Sequence, residues 1–372
     1  AGLLRPTWGT WVLDEQGLDG LDLPTELHDL VVRRVERLQG VTREIRTAAA
    51  VIGSRFDAPL LHRVSDAEPH DWHVALGEGL RVRVIERERG ERYRFVHNDI
   101  REALLDDVDP DLECSLHQRI AEVLDGAGRE DADHLYAVAR HYNLGDVDQN
   151  PARVVAANLA AAHCARSEYA HEEAHGFLAL ALTCAERGDV ALPAGFRETM
   201  AEVAARTGRL ADAIQHFERA LDDTTVPLQR ARLQSKLAHT HVANFHMGDA
   251  WRAVRAGLEE LGTPYPTFVP WQWFTTGVMW CRGLIGDLIG AGRHAEGDAR
   301  EHHALYVQLC EYGAIQGYFD SRLVLMAQLV ARAYWHATRL GPSPELVTVY
   351  SQLAVGFGAA GWRSVAGWYS DR

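Results

Sequence analysis

One short pattern of side chains recurs about every forty residues and most constrains the fold of this chain. Each copy begins with a small residue, at Ala174, Ala213 and Ala253, so the copies start 39 and 40 residues apart. The positions four and eight residues later carry large apolar side chains in most copies: Leu178, Phe217, Gly257, Leu182, Leu221 and Leu261. A small residue lets two helices approach closely, and a large one on the same face fills the space beside it. We therefore predict stacked helical pairs of the tetratricopeptide type, with the third copy weakest because Gly257 replaces a large residue.

Further Ala-rich helices surround these copies. They are predicted over 131–143, 151–164, 301–319, 320–340, 343–358 and from residue 362 to the end. The repeat spacing exceeds the usual 34 residues, so the loops or the helices are expected to be somewhat long. The segment 263–280 breaks the rhythm, since it contains three prolines and six aromatic residues.

The boundary between the two predicted regions of the chain is a predicted strand that runs directly into a helix. We call this strand and helix the hinge. Tyr93, Phe95 and His97 alternate with their neighbours at the period of two that is typical of a half-buried strand. The apolar residues that follow share one helical face: Ile100, Ala103, Leu104 and Val108. Either Asn98 or Asp99 is expected to cap this helix by accepting from its free N–H groups.

The segment before this hinge is predicted to be a small mixed domain. Its helices are predicted over 24–38, 42–52, 58–64 and 69–80, and 42–52 is expected to be central because it is rich in alanine. Its strands are predicted over 81–86 and 92–97, with Gly90 in the turn between them. The last three helices and this hairpin give the plan of a winged-helix domain.

The fold class is therefore predicted as mainly α, with an N-terminal winged-helix domain followed by a tetratricopeptide-like α-solenoid. A small β-hairpin forms the wing of the first domain. Residues 1–23 are predicted to be an irregular opening segment with a possible strand at 10–13, and residues 24–108 a winged-helix domain. Residues 109–372 are predicted to be a helical-repeat array with an insert at 263–280.

Winged-helix domains often bind DNA, and this wing is rich in arginine: Arg81, Arg83, Arg87, Arg89, Arg92 and Arg94. However, the helix over 69–80 that would enter the major groove offers Asp71 and Glu78, with Glu68 just before it. These carboxylates repel phosphate, and the net charge of -14 disfavours nucleic acid further. We expect no DNA binding here, and we expect some wing arginines to pair with acidic residues of the hairpin: Glu86, Glu88 and Glu91.

Composition indicates a protein of the cytoplasm with more than one domain. The chain has 372 residues, of which 47% are apolar and 24% charged. Its five cysteines are scattered and form no C-x-x-C pair, which favours a reducing compartment. The most apolar run, 274–290, is interrupted by Arg282 and Asp287, so we expect no membrane span. The first residues form no signal peptide and are expected to enter the middle of a longer protein.

The chain lacks the usual sequence signs of catalysis. Lys236, its single lysine, lies between Ser235 and Leu237, so a Walker-type phosphate loop is absent and no enzyme activity is expected. We find neither a nucleophile elbow nor a dinucleotide-binding turn. Several histidines are close in sequence, but without a further ligand at metal-binding spacing we expect no metal site. These pairs are His171 with His175, His239 with His241, and His302 with His303.

Three segments resemble one family. Phe95–Leu104 resembles the end of the winged-helix domain in STAND-type signalling ATPases, which include large LuxR-type transcription activators and AAA-like ATPase-containing bacterial kinases and cyclases. Thr47–Asp57 and Leu340–Leu346 resemble the same family, so the similarity extends over nearly the whole chain. In this family an NTPase core precedes the winged helix, and a repeat array follows it as sensor. The resemblance implies a fragment without that core or the effector domain. The fragment would bind no cofactor, whereas the parent protein would bind ATP or ADP.

The resemblance also implies a role for His97. This residue matches the histidine of the MHD-like motif in related ATPases, where the imidazole contacts the β-phosphate of bound ADP and holds the closed state. An imidazole can donate to phosphate oxygen, so the chemistry is reasonable. Val96 and Asn98 depart from the Met-His-Asp order of that motif. The alternative is that His97 ends a strand and caps the next helix locally.

By the same resemblance, the repeat groove would bind an effector or a protein partner, and the missing NTPase domain would be another partner. The aromatic residues of the insert are candidates for this binding: Tyr265, Phe268, Trp271, Trp273, Phe274 and Trp280. The alternative is that they pack into the solenoid core. The function predicted is the sensor and protein-interaction region of a STAND-type ATPase. The alternatives are a winged-helix DNA-binding regulator with a helical ligand-binding domain, and an enzyme within the helical array.

Overall fold

The computed structural model describes residues 4–7, 10–13, 41–65, 67–106, 108–289 and 295–372. The chain divides into two compact units, Ala1–Ala191 and Leu192–Arg372. The predicted helix over 24–38 lies outside the described residues, as does most of the predicted opening segment. The predicted domain boundary after residue 108 lies within the first unit.

The first unit begins with mixed secondary structure. Strands β1 (Leu4–Thr7) and β2 (Thr10–Leu13) pair antiparallel, and the second of them is the strand predicted at 10–13. Strands β3 (Arg55–Asp57), β5 (Arg92–Phe95) and β4 (Ile85–Arg87) form a second antiparallel sheet in that order, with Phe56 opposite Tyr93 and Ile85 opposite Phe95. The elements are β1 Leu4–Thr7, β2 Thr10–Leu13, α1 Val41–Ile52, β3 Arg55–Asp57, α2 Ala58–Ser65, α3 Pro69–Arg81, β4 Ile85–Arg87, β5 Arg92–Phe95 and α4 Asn98–Leu105.

Helix α1 is central, as its alanine content predicted. Ile45 and the run from Ala48 to Val51 are buried, and α1 packs against α2, α3 and α4. Phe56, Tyr93 and Phe95 cover one side of the sheet and belong to the same apolar core. The alternation of strand β5 therefore buries one face of the sheet, as its period of two predicted.

The predicted strand over 81–86 is wrong for its first half. Helix α3 continues to Arg81, and Arg83 then takes a left-handed backbone conformation with a φ of 56°. Gly79 lets Ile85 pack against the helix backbone, because a Cβ atom at this position would lie 3.0 Å from an Ile85 side-chain carbon. Val82 and Arg83 form a turn, and the strand begins only at Ile85.

The predicted cap and extent of the helix after β5 are also wrong. The strand ends at Phe95, and the exposed His97 occupies the N-cap position without a side-chain capping bond. The side-chain amide of Asn98 instead donates to the Glu102 carboxylate one turn later. The helix ends at Leu105, so Val108 does not extend its apolar face.

Four longer helices complete the first unit, and successive helices pack against each other. Asp109, Asp131 and Asn150 cap the first three by accepting a backbone N–H. These helices are α5 Pro110–Asp125, α6 Ala132–Leu144, α7 Pro151–Ser167 and α8 His171–Gly188.

A pair of buried histidines joins α5 to α6. The Nδ1 atoms of His117 and His141 lie 2.7 Å apart, a hydrogen bond in which one ring donates and the other accepts. Burial, reinforced by the positive charge of Arg140, lowers the pKa of His117 to about 4. Burial and the neighbouring His117 lower the pKa of His141 to about 3. Both rings are therefore neutral at pH 7.

The described part of the second unit is helical. Its helices are α9 Phe196–Arg206, α10 Leu210–Asp222, α11 Pro227–Ala243, α12 Met247–Glu260, α13 Val269–Ile289, α14 Gly297–Phe319, α15 Leu323–Leu340, α16 Pro344–Ala359 and α17 Arg363–Ser370. Helix α9 packs on α10 and α11 packs on α12, which gives the paired arrangement that the repeat predicted. Ala213 and Ala253 are buried in this unit, and Ala174 is buried in the first. The mainly helical, repeat-like architecture is thus confirmed.

Gly257 departs from the repeat for a physical reason. A Cβ atom at this position would lie 2.8 Å from both terminal methyl groups of Leu309 in helix α14. Helix α14 packs against α12 at this point and supplies the bulk that a side chain at 257 supplies in the other copies. A large residue here would overlap Leu309.

The insert leads into the long helix α13, which Asp287 ties to its neighbours. Asp287 accepts hydrogen bonds from the hydroxyls of Tyr334 at 2.6 Å and Tyr350 at 2.8 Å, and from Arg372 at 2.6 Å. The charge that interrupts the apolar run therefore links α13 to α15, α16 and the end of the described chain. None of the helices in the described ranges is both long enough and apolar enough to span a lipid bilayer.

Candidate functional site: an apolar groove in the second unit

An open groove of about 790 Å³ lies between helices α13, α14, α15 and α16. Helix α13 packs on α15, and α15 packs on both α14 and α16, so these four helices hold the walls in place. Apolar side chains dominate the lining, among them Trp280, Ile315, Met326, Val355, Phe357 and Trp362. No charged side chain of the described residues lines the groove. A groove of this size and polarity suits a small ligand.

Two polar side chains in the lining have atoms without partners. Gln328 is 2% exposed, and its Oε1 accepts from the Tyr265 hydroxyl at 2.6 Å, whereas its Nε2 has no partner among the described residues. Thr276 is 6% exposed, and its Oγ1 is likewise without a partner in the described part of the chain. A buried polar group without a hydrogen bond costs about 1–3 kcal/mol. A ligand with an acceptor atom can recover part of that cost.

Arg332 holds the wall that carries Thr276. Its guanidinium is buried, donates to the hydroxyls of Thr275 at 2.7 Å and Tyr306 at 3.3 Å, and lies 5.5 Å from the Tyr265 ring centre. Both of these hydrogen bonds go to hydroxyl oxygens and neither to a carboxylate. The cation therefore relies on hydroxyl oxygens and an aromatic face, which fixes α13 against α14 and α15.

The six predicted aromatic residues do not form one cluster. Trp273 and Trp280 line the groove, and Trp280 is half-buried with its Nε1–H donating to the Tyr369 hydroxyl at 3.2 Å. Tyr265 is half-buried beside Trp251 and lines a separate, more polar depression. The other three are more than half exposed outside the groove: Phe268, Trp271 and Phe274. The insert thus contributes both to packing and to the surface.

Most of the groove was not predicted from the sequence. Its remaining walls come from residues such as Gln328, Val355 and Trp362, which lie far along the chain from the insert. One signal could have indicated them. Helix α16 carries a single charged residue, Glu345, although its far end is exposed, which is unusual for a surface helix.

Ion pairs involve two of the predicted wing arginines. Arg94 pairs with Glu86, as expected for a wing arginine and an acidic residue of the hairpin. Arg92 instead pairs at 3.0 Å with Asp57, which lies in β3 outside the hairpin. An ion-paired arginine is less available for a phosphate contact.

Histidines come together at places that close spacing in sequence did not indicate. Within the described residues, groups of three metal-ligating side chains occur twice, as His302 with His303 and His336, and as His241 with His246 and Asp249. His171 and His175 belong to neither group, and of the pair His239 and His241 only His241 does. Only the pair at 302 and 303 gains a third ligand in the described part of the chain.

The fold and groove define a mainly helical protein of tetratricopeptide-like repeats with an open apolar groove. The sequence matches no family model and no curated protein. Among solved structures, the chain is similar to a Signal Transduction ATPase with Numerous Domains (STAND) protein with a tetratricopeptide repeat sensor from Pyrococcus horikoshii. The identity is 13% and the TM-score 0.37, over 91% of this chain and 50% of that one, so the resemblance is coarse. The chain spans about half the length of that protein.

Proposed function

We propose that this chain is the sensor and protein-interaction region of a STAND-type signal-transducing ATPase, and that an effector binds in the apolar groove. The observation that carries the proposal is the groove itself, with an uncharged lining and two buried polar atoms that lack partners among the described residues. The STAND assignment rests on the sequence segments that resemble this family. No catalytic role is proposed for the chain itself.

The lining defines the chemistry of the effector. A charged group would lose its hydration in this groove without gaining a counter-ion, which is costly. The Gln328 amide N–H and the Thr276 hydroxyl can both donate to an acceptor. The effector is therefore a neutral, largely apolar small molecule that carries a carbonyl-type oxygen.

The first unit fits the role of the arm between an NTPase domain and the sensor. The winged-helix interpretation is supported by the order of elements along the chain, which is α1, β3, α2, α3 and then the hairpin of β4 and β5. His97 is exposed at the start of α4, where the helix N-terminus favours phosphate, which supports contact with ADP bound to the parent protein. The DNA-binding alternative loses some support because Arg92 and Arg94 of the wing are ion-paired.

Nile red, a neutral dye with a carbonyl group, is a suitable probe because its fluorescence rises in an apolar site. We expect saturable binding to the wild-type chain. Val355→Arg should weaken this binding at least about tenfold, because it places a charge in the groove. Val347→Arg is the matched control, since Val347 is exposed on the same helix but does not line the groove.

A second variant tests the polar contact. Gln328→Leu removes the unpartnered N–H without adding charge, and it should weaken Nile red binding while circular dichroism shows a folded chain. Equal loss of binding in Val355→Arg and Val347→Arg would refute a specific site, because it would mean that the dye binds exposed apolar surface in general. Unchanged binding in Val355→Arg would refute the groove as the effector site.

A further inference from the structure

Three histidines from two helices meet in the second unit, away from the lining of the groove. His302 and His303 are adjacent in α14, and His336 lies in α15. One ring nitrogen from each lies within 4.8 Å of the others. His336 is buried, and the other two are half-buried, so the group sits near the surface with one side accessible.

His303 and His336 are joined by a hydrogen bond. Their Nδ1 atoms lie 2.9 Å apart, so one ring carries its proton on Nδ1 and donates to the Nδ1 lone pair of the other. Burial, together with the neighbouring His302, lowers the pKa of His303 to about 4. Burial also lowers the pKa of His336 well below its ordinary value. Both imidazoles are thus neutral, and neutral imidazole is the form that binds metal ions.

Groups around the three rings hold them in place. The Nε2 atom of His302 lies 3.2 Å from the Leu261 carbonyl oxygen, so this nitrogen carries the proton and Nδ1 keeps its lone pair. The Tyr306 ring stacks on His336 with ring centres 3.7 Å apart. Metal-binding histidines commonly have such a carbonyl partner, which fixes the tautomer and orients the ring.

We propose that His302, His303 and His336 bind a late first-row divalent metal ion such as Zn²⁺. Imidazole nitrogen suits this class of ion, and three such ligands leave a fourth position for water. When the ion binds both Nδ1 atoms, the proton of the donating ring moves to Nε2 of that same ring, so both imidazoles stay neutral. Nitrogen ligands of a tetrahedral Zn²⁺ lie about 3.3 Å apart, so the 2.9 Å pair needs only a small widening.

The experiment uses the full chain without a polyhistidine tag. Titration with Zn²⁺ in a calorimeter should show one binding site in the wild type. In His303→Gln the dissociation constant of that site should be raised at least about tenfold. Co²⁺ should give the visible absorption of a four-coordinate ion in the wild type and lose it in His303→Gln. His303 is half-buried, so this variant is expected to fold, and far-ultraviolet circular dichroism verifies this.

The matched control is His246→Gln, which removes an exposed histidine from the second histidine group. It should keep both the Zn²⁺ affinity and the Co²⁺ spectrum. The proposal is overturned if the wild type binds no Zn²⁺, if His303→Gln binds as the wild type does, or if His246→Gln alone abolishes binding. Thermal unfolding gives a second readout, because Zn²⁺ should raise the melting temperature of the wild type but not of His303→Gln.

Discussion

Replacing Asp287 by alanine should lower the melting temperature of the second unit substantially. The Asp287 side chain is only 9% exposed and accepts from Tyr334, Tyr350 and Arg372. Burial and hydrogen bonding to this carboxylate raise the pKa of Tyr350 to about 12 and raise that of Tyr334 further. Both hydroxyls therefore remain protonated donors at ordinary pH and lose their acceptor in the variant.

The size of the loss depends on the exposure of the partners. Tyr334 is 0% and Tyr350 8% exposed, so each hydroxyl loses this acceptor in a buried position, at about 1–3 kcal/mol. The Arg372 side chain is 32% exposed and adds little, because water replaces its partner. The two hydroxyls together cost about 2–6 kcal/mol. For a unit of this size, that corresponds to a decrease of roughly 4–24 °C in melting temperature.

Differential scanning calorimetry measures this effect as a decrease in melting temperature relative to the wild type. Asp287→Asn keeps one acceptor oxygen and should lose less stability than Asp287→Ala. Arg372→Ala is the matched control and should change the melting temperature by about 2–4 °C at most. A shift of Asp287→Ala no larger than that of Arg372→Ala would refute the reasoning.

Two further predictions test the repeat and the buried histidines. Ala213→Leu should cost about 1–3 kcal/mol by overpacking, whereas the exposed Ala211→Leu should leave the melting curve unchanged, and equal curves would contradict the repeat packing. The lowered pKa values of His117 and His141 mean that the unfolded chain binds more protons below about pH 6.5, so stability is full above that pH and falls as the pH drops towards 4. Urea unfolding between pH 7.5 and 4.5 should show this loss. Between the unfolded and folded pKa values, each of the two histidines lowers the free energy of unfolding by about 1.4 kcal/mol for every unit that the pH decreases, because only the unfolded chain binds its proton. His117→Gln should reduce the loss, and an identical pH dependence in the variant would exclude the histidine pair as its source.

The predicted helices agree well with the structure where the pattern is local. Helices near 42–52, 131–143 and 343–358 follow from apolar spacing and capping residues, both of which act within one or two turns. The strand over 81–86 was mispredicted because alternation at Val82 and Val84 suits a strand, whereas Val82 and Arg83 form a turn in which Arg83 is left-handed and Val84 is buried. Apolar alternation alone does not distinguish such a turn from a strand.

The helical repeat could be predicted from the order of residues, since small and large side chains at fixed spacing specify which helix faces bury each other. The pairing of Arg94 with an acidic residue of the hairpin was predictable in the same way. The groove and the histidine group, in contrast, became visible only once the helices were packed together. Trp280 meets Tyr369, and His303 meets His336, across chain separations that no repeat or motif encodes. Such sites arise where different helices bring their side chains together, and that geometry is fixed by packing rather than by local sequence patterns.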